Sequence, residues 1–443
     1  MKEGLKQSLN AIREMSVEGN KVYHQYVPVI DDNTSITALA DPVLTVPVVA
    51  NEFMSMLINR IVYTQFENKY FRNPLQILEG DRIPLGYAGQ EIYVNPAKAR
   101  QYNVNDFAGL LQKYEADVKV QYMTVNMDLQ YPVTVGRHEL KKAFTSWDSL
   151  DSFIDQLSNS LYNGAYIDEY MYTKYLVTGA YLNGGVKVEV VNGINSEETA
   201  KSFVKKARTI FLNMETPTSN FNAWKQVGGY GRDIITWSNP EDIVFLLRND
   251  VRSELDIDVL ASAFNIDKAT LLGNILPIND FNVYDDNGEL KFDGSNIIGM
   301  IADKSWFRIK RQDMYLDEFY NANNRTWQYY LNLTKMYQYS LFANAIVFAT
   351  QAPQITISEL DYKANVVDVV AGQTEGLEVS VKPFSATDPT IVYTSSNNNV
   401  FTVQADTSNN RIAKVLGVAK GTAILTATAG NISTTTTINV KEA

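Results

Sequence analysis

The side chains that carry most enzyme and metal chemistry are sparse in this sequence. It contains two histidines, His24 and His138, and no cysteine. Zinc enzymes commonly place two histidines four residues apart on one helix, and neither histidine has such a partner here. We therefore interpret both as structural or surface residues, and we predict no metal and no cofactor.

Three further patterns have the residue types of a site without its spacing. Glu254, Asp256 and Asp258 could act as paired carboxylates, but acidic residues near a helix start also favour the helix dipole. The cluster Gly228–Gly231 lacks the strand and helix of a phosphate-binding loop. The run Asp285–Glu289 lacks the ligand spacing of a calcium loop, and we interpret it as a hairpin turn. The sequence therefore predicts that the protein is not an enzyme.

Composition and charge limit the classes of partner. The 443 residues are 45% apolar and 20% charged, with a formal net charge of −11. Proteins bind duplex DNA mainly through Lys and Arg, so this acidic chain is expected to contact DNA only weakly. The start MKEGLKQSLN lacks the apolar run of a signal peptide, and the most apolar stretches, 42–50 and 343–349, are too short to span a membrane. We expect a soluble protein without a membrane partner.

The composition changes abruptly near Ala352-Pro353. All five Trp and 24 of the 26 Tyr precede this point, whereas fourteen Thr follow it. We therefore predict a body over 1–350 and a second domain over 353–443, joined through Ala352-Pro353. A domain of about 90 residues can bury a core of its own, so we expect the second domain to fold independently.

The second domain is predicted to be an all-β sandwich, because short β-prone runs alternate with Gly, Pro, Asn and Asp. The predicted strands are Gln354–Ile357, Leu377–Val381, Ile391–Thr394, Val400–Val403, Ile412–Leu416, Ala423–Thr428 and Thr435–Val440. The stretches Val370–Thr374, Leu377–Pro383 and Gly421–Thr428 resemble the bacterial immunoglobulin-like group 2 family. Tyr393 stands where that family often has Trp.

The body is predicted to mix helices and strands. Residues 146–178 have apolar side chains at helical spacing, with Ser146 as the N-cap and Gly179 as the stop. Shorter helices are predicted over Ser196–Asn213 and Glu254–Asn265. Residues 73–135 are punctuated by Gly and Pro and then alternate as a strand does. Such an extended loop buries little of itself, which favours a neighbouring subunit as its cover.

Several stretches of the body, in order along the chain, carry a family resemblance. They are Asn73–Leu75, Ile83–Gly86, Glu91–Tyr93, Leu140–Trp147, Asp168–Tyr170, Glu254–Asn265, Leu272–Asn274, Asp303–Phe307 and Phe342–Ala345. With this order of elements, the chain resembles the major capsid proteins of phi-29-like short-tailed bacteriophages, which have the Hong Kong-97 capsid fold and a C-terminal immunoglobulin-like domain.

The resemblance implies an α+β fold with named parts. These are an N-terminal arm over 1–72, an extended β-loop over 73–135, a spine helix over 146–178, a remaining mixed body over 180–350 and the immunoglobulin-like sandwich over 353–443. It also implies a structural protein that assembles into the icosahedral or elongated head enclosing the phage DNA. The expected location is the virion capsid, assembled in the host bacterial cytoplasm.

The resemblance also implies partners. These are other copies of the chain in pentamers and hexamers, a separate scaffolding protein, the portal and weakly contacted DNA. The C-terminal domain is expected either to add contacts between subunits or to bind head fibres or a host surface polymer. Some relatives of this fold join subunits by Lys–Asn isopeptide bonds. The loop carries Lys98 and Lys113 without an identified acceptor, so we expect non-covalent shells.

The predicted assembly residues lie in the extended loop. They are Gly80, Pro84, Gly86 and Gly89, since glycine permits backbone angles and hinge motions that bulkier residues resist. Two alternatives remain open on the sequence. A bacterial surface or adhesion protein would need a signal peptide or an anchor. Another virion protein, such as a head fibre or a portal, would have repeats or long channel-lining helices.

Overall fold

The computed structural model describes residues 3–63, 72–84, 89–100, 113–229, 231–254, 274–285, 287–387 and 390–442. The chain forms two compact units, each built from separated stretches of sequence. The first unit consists of Met1–Gly89, Met123–Thr173 and Arg308–Gln338; the second consists of Gln90–Tyr122, Lys174–Phe307 and Tyr339–Ala443. The mixture of helices and strands described below confirms the predicted α+β class.

The first unit begins with four helices that supply much of its core. They are α1 (Glu3–Glu18), α2 (Tyr23–Tyr26), α3 (Ile36–Thr45) and α4 (Pro47–Tyr63). Their buried side chains recur at helical spacing, as Leu5, Leu9 and Ile12 do on α1. The described part of the segment predicted as an N-terminal arm is thus helical and packed.

A four-stranded sheet packs against these helices. Its strands are β1 (Glu79–Gly80), β4 (Met127–Gly136), β11 (Phe307–Asn321) and β12 (Thr326–Tyr339). Their order is β1-β11-β12-β4. β12 and β4 pair antiparallel, from Thr326↔Gly136 to Lys335↔Met127. Three residues of the sheet, Val135, Trp327 and Tyr329, belong to the same hydrophobic core as the buried side chains of the helices. The sheet therefore packs against the helices through this core.

Helix α5 (Arg137–Ala143) follows β4, and the long helix α6 (Trp147–Leu182) follows α5. The backbone N–H of Ser149 donates to Ser146 Oγ at 3.1 Å, so Ser146 is the N-cap of α6, as predicted. The prediction that Gly179 ends the helix is wrong. A glycine costs about 1 kcal/mol inside a helix, and the neighbouring Val177 and Tyr181 are fully buried, which offsets that cost.

The second unit contains a five-stranded sheet. Its strands are β5 (Lys187–Val190), β6 (Ile243–Arg248), β7 (Ile275–Ile278), β10 (Ile297–Asp303) and β13 (Ala345–Ala349). Their order in the sheet is β5-β13-β10-β6-β7. Helix α7 (Glu197–Met214) packs on this sheet through Phe203, Ala207 and Phe211. It confirms the helix predicted over Ser196–Asn213, and Ser196 is its N-cap.

Two smaller predictions have different outcomes. Strands β8 (Val283–Tyr284) and β9 (Leu290–Phe292) form an antiparallel hairpin. Asp285 Oδ1 accepts from the backbone N–H groups of Asn287 and Glu289, both at 2.9 Å, which confirms a turn in place of a calcium loop.

The described structure has helix α8 at Asn249–Glu254, and residues 255–273 lie outside the description. Most of the helix predicted over Glu254–Asn265 is therefore outside it too.

Residues 359–441 form two four-stranded sheets around one core. The strands are β14 (Glu359–Tyr362), β15 (Val366–Val370), β16 (Thr374–Lys382), β17 (Val392–Ser395), β18 (Phe401–Ala405), β19 (Ile412–Gly417), β20 (Gly421–Ala429) and β21 (Ile432–Lys441). The sheet orders are β14-β16-β19-β18 and β15-β21-β20-β17. Both sheets turn their apolar residues inward, which confirms the predicted sandwich.

The strand predicted over Gln354–Ile357 is wrong, and two strands were missed. Ile355 is bound by Thr387, whose hydroxyl accepts from the Ile355 N–H and whose N–H donates to the Ile355 carbonyl, so it pairs with a loop. β14 and β15 are edge strands whose outward residues include Glu359, Asp361 and Asp368. Both strands are short, at four and five residues, and give only a brief alternation in the sequence.

Candidate functional site

The first part of the extended loop lies along an edge of the first unit's sheet. β1 pairs with β11 in parallel, Glu79 opposite Ile309 and Gly80 opposite Lys310. The Ile83 N–H donates to the Arg311 carbonyl at 2.9 Å. The Gln312 side-chain amide donates to the Pro84 carbonyl at 3.0 Å. This segment is therefore bound to its own chain.

The predicted assembly glycines have different settings. Gly80 has no positive φ, and a Cβ added to it would lie 3.6 Å from the Lys310 side chain, an ordinary contact. Gly80 thus has strand geometry that any residue adopts in this chain, and its predicted hinge motion stays a prediction. Gly86 lies outside the described residues, and Gly89 begins strand β2 (Gly89–Val94). The part these residues take in assembly stays a prediction.

The second part of the loop is a two-stranded ribbon of β2 (Gly89–Val94) and β3 (Val118–Met123). The Asn95 N–H donates to the Asp117 carbonyl at 3.0 Å, which brings Val94 alongside Val118. Both valines are exposed, and so are Ile92 and Tyr122, the latter at 72%. In the single chain the ribbon therefore carries an uncovered apolar face.

The opposite side of the ribbon is held by charges. Lys119, which is 1% exposed, forms a salt bridge with Asp117, and Asp117 also accepts from Arg232 at 3.2 Å. The Lys119 ammonium and the Asn95 amide are the main hydrogen-bond donors that lower the pKa of Asp117. This network fixes the ribbon's base within the second unit.

A buried ionic cluster anchors the loop's first strand in the first unit. Lys335 on β12 forms salt bridges with Glu169 on α6 and with Glu79 on β1, the latter at 3.2 Å. Arg311 on β11 also pairs with Glu79 at 3.2 Å. Burial raises the pKa of Glu169, and Lys335 opposes that shift. Two carboxylates and two cations thus neutralise one another between three strands and the long helix.

The cluster was missed from the sequence, although it left one signal. Leu161, Ala165, Glu169 and Thr173 recur every four residues on α6, and all four are buried. An acidic residue on the buried face of a helix predicts a buried partner. The identity of that partner was hidden, because Lys335 lies 166 residues from Glu169 in the sequence.

The residues considered for chemistry have structural settings. His24 contacts the Ser16 hydroxyl at 3.2 Å. Within the described part of the chain, no three His, Asp or Glu side chains are grouped so that they could hold a metal ion. Gly228 and Gly229 form a turn against the Trp224 ring, not a phosphate cradle. Asp256 and Asp258 lie outside the described residues.

Among the described residues no single helix has the length and apolar character to cross a bilayer. The bent pair Ile36–Thr45 and Pro47–Leu57 meets these two criteria jointly.

The body has a fold of the Hong Kong-97 type. A solved capsid of Staphylococcus phage Andhra is similar to this structure with a TM-score of 0.53 and 13% identity, covering 65% of this chain and 87% of that chain. The similarity confirms the predicted fold for the body.

Sequence comparison assigns the family. Residues 9–349 match the Phi29-like phage major capsid protein model, and residues 357–440 match the bacterial Ig-like domain (group 2). The chain belongs to the Phi29-like phage major capsid protein family. It is 28% identical over 419 residues to the major capsid protein of Bacillus phage B103, covering 92% of this chain and 88% of that relative.

A relative from another host genus agrees. The major capsid protein of Streptococcus phage Cp-1 is 28% identical over 305 residues, covering 67% of this chain and 81% of that relative. The chain is thus a phage major capsid protein, a structural component of the virion that associates with itself. This outcome favours the capsid interpretation over the surface-protein and head-fibre alternatives.

Proposed function

We propose that copies of this chain assemble as pentamers and hexamers into a closed head around the phage genome. The observation that supports this most directly is the match of residues 9–349 to the capsid family, together with the apolar ribbon face left uncovered in one chain. Electron microscopy of the expressed protein with its scaffolding protein tests the proposal. Closed shells are expected, whereas rings or fibres would contradict it.

We further propose that the ribbon of β2 and β3 is the contact that covers a neighbouring subunit. Burying apolar area contributes about 25 cal/mol per Å², so an exposed apolar face is stabilised by a second surface. Gly80, Pro84 and Gly86 precede this ribbon in the sequence and Gly89 begins it, and these four remain the proposed assembly residues of the loop. Subunits whose ribbon bears a charged residue should remain as monomers or single capsomers.

The other partners follow from charge and from the extent of the chain's match. The net charge of −11 favours weak contact with DNA, because a strongly basic wall would hold DNA during packaging. A separate scaffolding protein and a portal complete the assembly, which takes place in the host cytoplasm. Co-expression with and without the scaffolding protein tests this, with regular shells expected only in its presence.

We propose that the shell is held together without enzyme chemistry or covalent bonds. Lys113, one of the two loop lysines considered for cross-links, forms an exposed salt bridge with Glu115 at 2.6 Å. Shells should dissociate to single chains in a denaturing gel. A ladder of multimers would contradict this proposal.

We propose that the body over 1–350 and the immunoglobulin-like domain over 353–443 have separate tasks, the second adding contacts between subunits. All five described lysines of this domain form ion pairs within it. A host polymer rich in phosphate would find few free cations there, which favours a structural role over polymer binding. Shells lacking residues 353–443 should disassemble at lower temperature than complete shells.

A further inference from the structure

Within the second unit, the immunoglobulin-like domain contacts the capsid body through a loop that is distant from the linker in sequence. The contact is made by Phe384 and Ser385, which lie in the loop between β16 and β17. They meet two glycines of the body: Gly184, just after α6, and Gly228, in the turn after Trp224. This contact was not foreseen from the sequence, which predicted a connection through Ala352-Pro353.

Gly184 leaves room for Ser385. A Cβ at Gly184 would overlap both side-chain atoms of Ser385, and it would lie 2.9 Å from Ile355 of the same domain. Gly184 has φ +70, a conformation that L side chains rarely adopt. The Ser385 hydroxyl donates to the Asn183 carbonyl at 3.0 Å. The side chain of Ser385 therefore occupies the space that Gly184, which has no side chain, leaves in the body.

Gly228 and Arg411 hold Phe384 from two sides. Gly228 has φ +85, and a Cβ there would lie 2.9 Å from Phe384 Cγ. The Arg411 guanidinium lies 4.3 Å from the centre of the Phe384 ring and donates to the Phe384 carbonyl at 2.6 Å. A cation placed over an aromatic ring is attracted to it, so Arg411 keeps Phe384 turned towards the body.

The linker also forms hydrogen bonds with the body. Thr350 N–H donates to the Asn296 carbonyl at 2.8 Å, and the Tyr181 hydroxyl donates to the Gln351 carbonyl at 2.6 Å. At the other end, Ile355 is bound by Thr387, two residues after Ser385. The domain thus has two attachments to the body, the linker and the 384–385 loop.

We propose that Phe384 and Ser385 form a clamp that holds the immunoglobulin-like domain in one orientation on the capsid body. A single linker permits rotation about its own axis, and a second attachment removes that rotation. If the chain builds a shell as proposed above, every copy then presents this domain in the same direction. The clamp itself is a contact inside one chain, so it can be tested without shells.

The natural chain has no cysteine, so an engineered pair reports the contact directly. In the full chain, Asn183→Cys with Ser385→Cys should form an intramolecular disulfide under mild oxidation, seen as a faster band in a non-reducing denaturing gel. The control pair is Asn183→Cys with Ser433→Cys, which replaces an exposed serine on strand β21 in place of the loop serine. We expect the first pair to oxidise at least ten-fold faster. Equal rates would overturn the clamp.

Removal of the aromatic ring tests the role of Phe384. Phe384→Ala in the Asn183→Cys, Ser385→Cys chain should slow disulfide formation several-fold, with unchanged circular dichroism. Val392→Ala, an exposed apolar residue on the same domain, is the control and should leave the rate unchanged. An unchanged rate in the Phe384 variant would overturn its part in the clamp. Shell formation by these chains is a separate readout, so failure of the clamp and failure of the capsid proposal remain distinguishable.

Discussion

Lys335 on β12 forms an ion pair with Glu169 on the long helix α6, and both side chains are more than nine-tenths buried. Glu79, on the first strand of the extended loop, forms a salt bridge with the same Lys335 ammonium group at 3.2 Å. Removing one member of a buried cluster leaves the others without compensation, which costs more than the cluster contributes while intact. The loop's first strand is therefore tied to the helix through one lysine.

The first prediction concerns that lysine. Lys335→Met should lower the free energy of unfolding by about 3–5 kcal/mol, because Glu79 and Glu169 would remain buried without their shared cation. Denaturant unfolding measures the change. Lys201→Met is the control, since Lys201 forms a mostly exposed pair with Glu197 and should cost less than about 1 kcal/mol. Equal effects in the two variants would contradict the prediction.

The second prediction concerns pH. The Lys414 ammonium, followed by the Ser408 hydroxyl, lowers the pKa of Asp406. A carboxyl whose pKa is lowered by folding stabilises the fold above its unfolded pKa, and the effect is lost as pH falls. Asp406→Asn should therefore lower the melting temperature at pH 7, with a difference from the natural chain that shrinks below about pH 4. Asp361→Asn, at an exposed position of the same domain, is the charge-matched control.

The third prediction concerns the ribbon. Tyr122→Asp should leave the fold of the single chain intact, because Tyr122 is 72% exposed. It should prevent shell assembly, because a neighbouring subunit would bury the aspartate charge without a partner. Leu212→Asp, an exposed apolar residue on α7, is the control. Analytical ultracentrifugation separates shells from free subunits. Normal shell yield from Tyr122→Asp would exclude this face as the contact.

The fourth prediction separates two loop glycines. Gly80→Ala should be neutral or raise stability by up to about 1 kcal/mol, since strand β1 has space for a Cβ and alanine restricts the unfolded chain. Gly86→Val should reduce shell yield without unfolding the subunit. Electron microscopy and thermal unfolding of both variants provide the test. A loss of assembly in Gly80→Ala would show that glycine is required in this strand after all.

The fifth prediction concerns independence of the C-terminal domain. Residues 353–443 expressed alone should unfold cooperatively, because Val379, Phe401, Val415 and Leu425 belong to a core formed within the sandwich. A chain ending at Thr350 should keep its body fold. Circular dichroism during heating measures both. Absence of a transition in the isolated domain would mean that its fold depends on the body.

Local patterns foretold much of this structure. Helix α7 was predicted to within one residue at each end, because its apolar spacing and the Ser196 cap are both short-range signals. The hairpin around Asn287 and six of the seven predicted sandwich strands also follow from turns and alternation. The family resemblance then supplied the fold that joins these elements.

Long-range pairing could not be predicted in the same way. β11 and β12 form the longest strands of the first unit, yet β11 mixes Arg308, Lys310 and Arg311 with apolar residues and hides its period. Lys119, Lys174 and Lys335 are almost fully buried, whereas lysine is usually exposed. Lys119 pairs with Asp117, two residues away, but the acidic partners of Lys174 and Lys335 lie 106 and 166 residues away, and only the folded chain brings them near.

The interrupted make-up of the first unit has a consequence for synthesis. This unit closes with strand β12, which pairs with β4 from about two hundred residues earlier in the chain. A ribosome adds about 5–20 residues per second, so a growing chain waits tens of seconds before Lys335 emerges to meet Glu79 and Glu169. Until then the loop's first strand lacks its anchor. The anchor of this strand therefore forms only after most of the body has been synthesised.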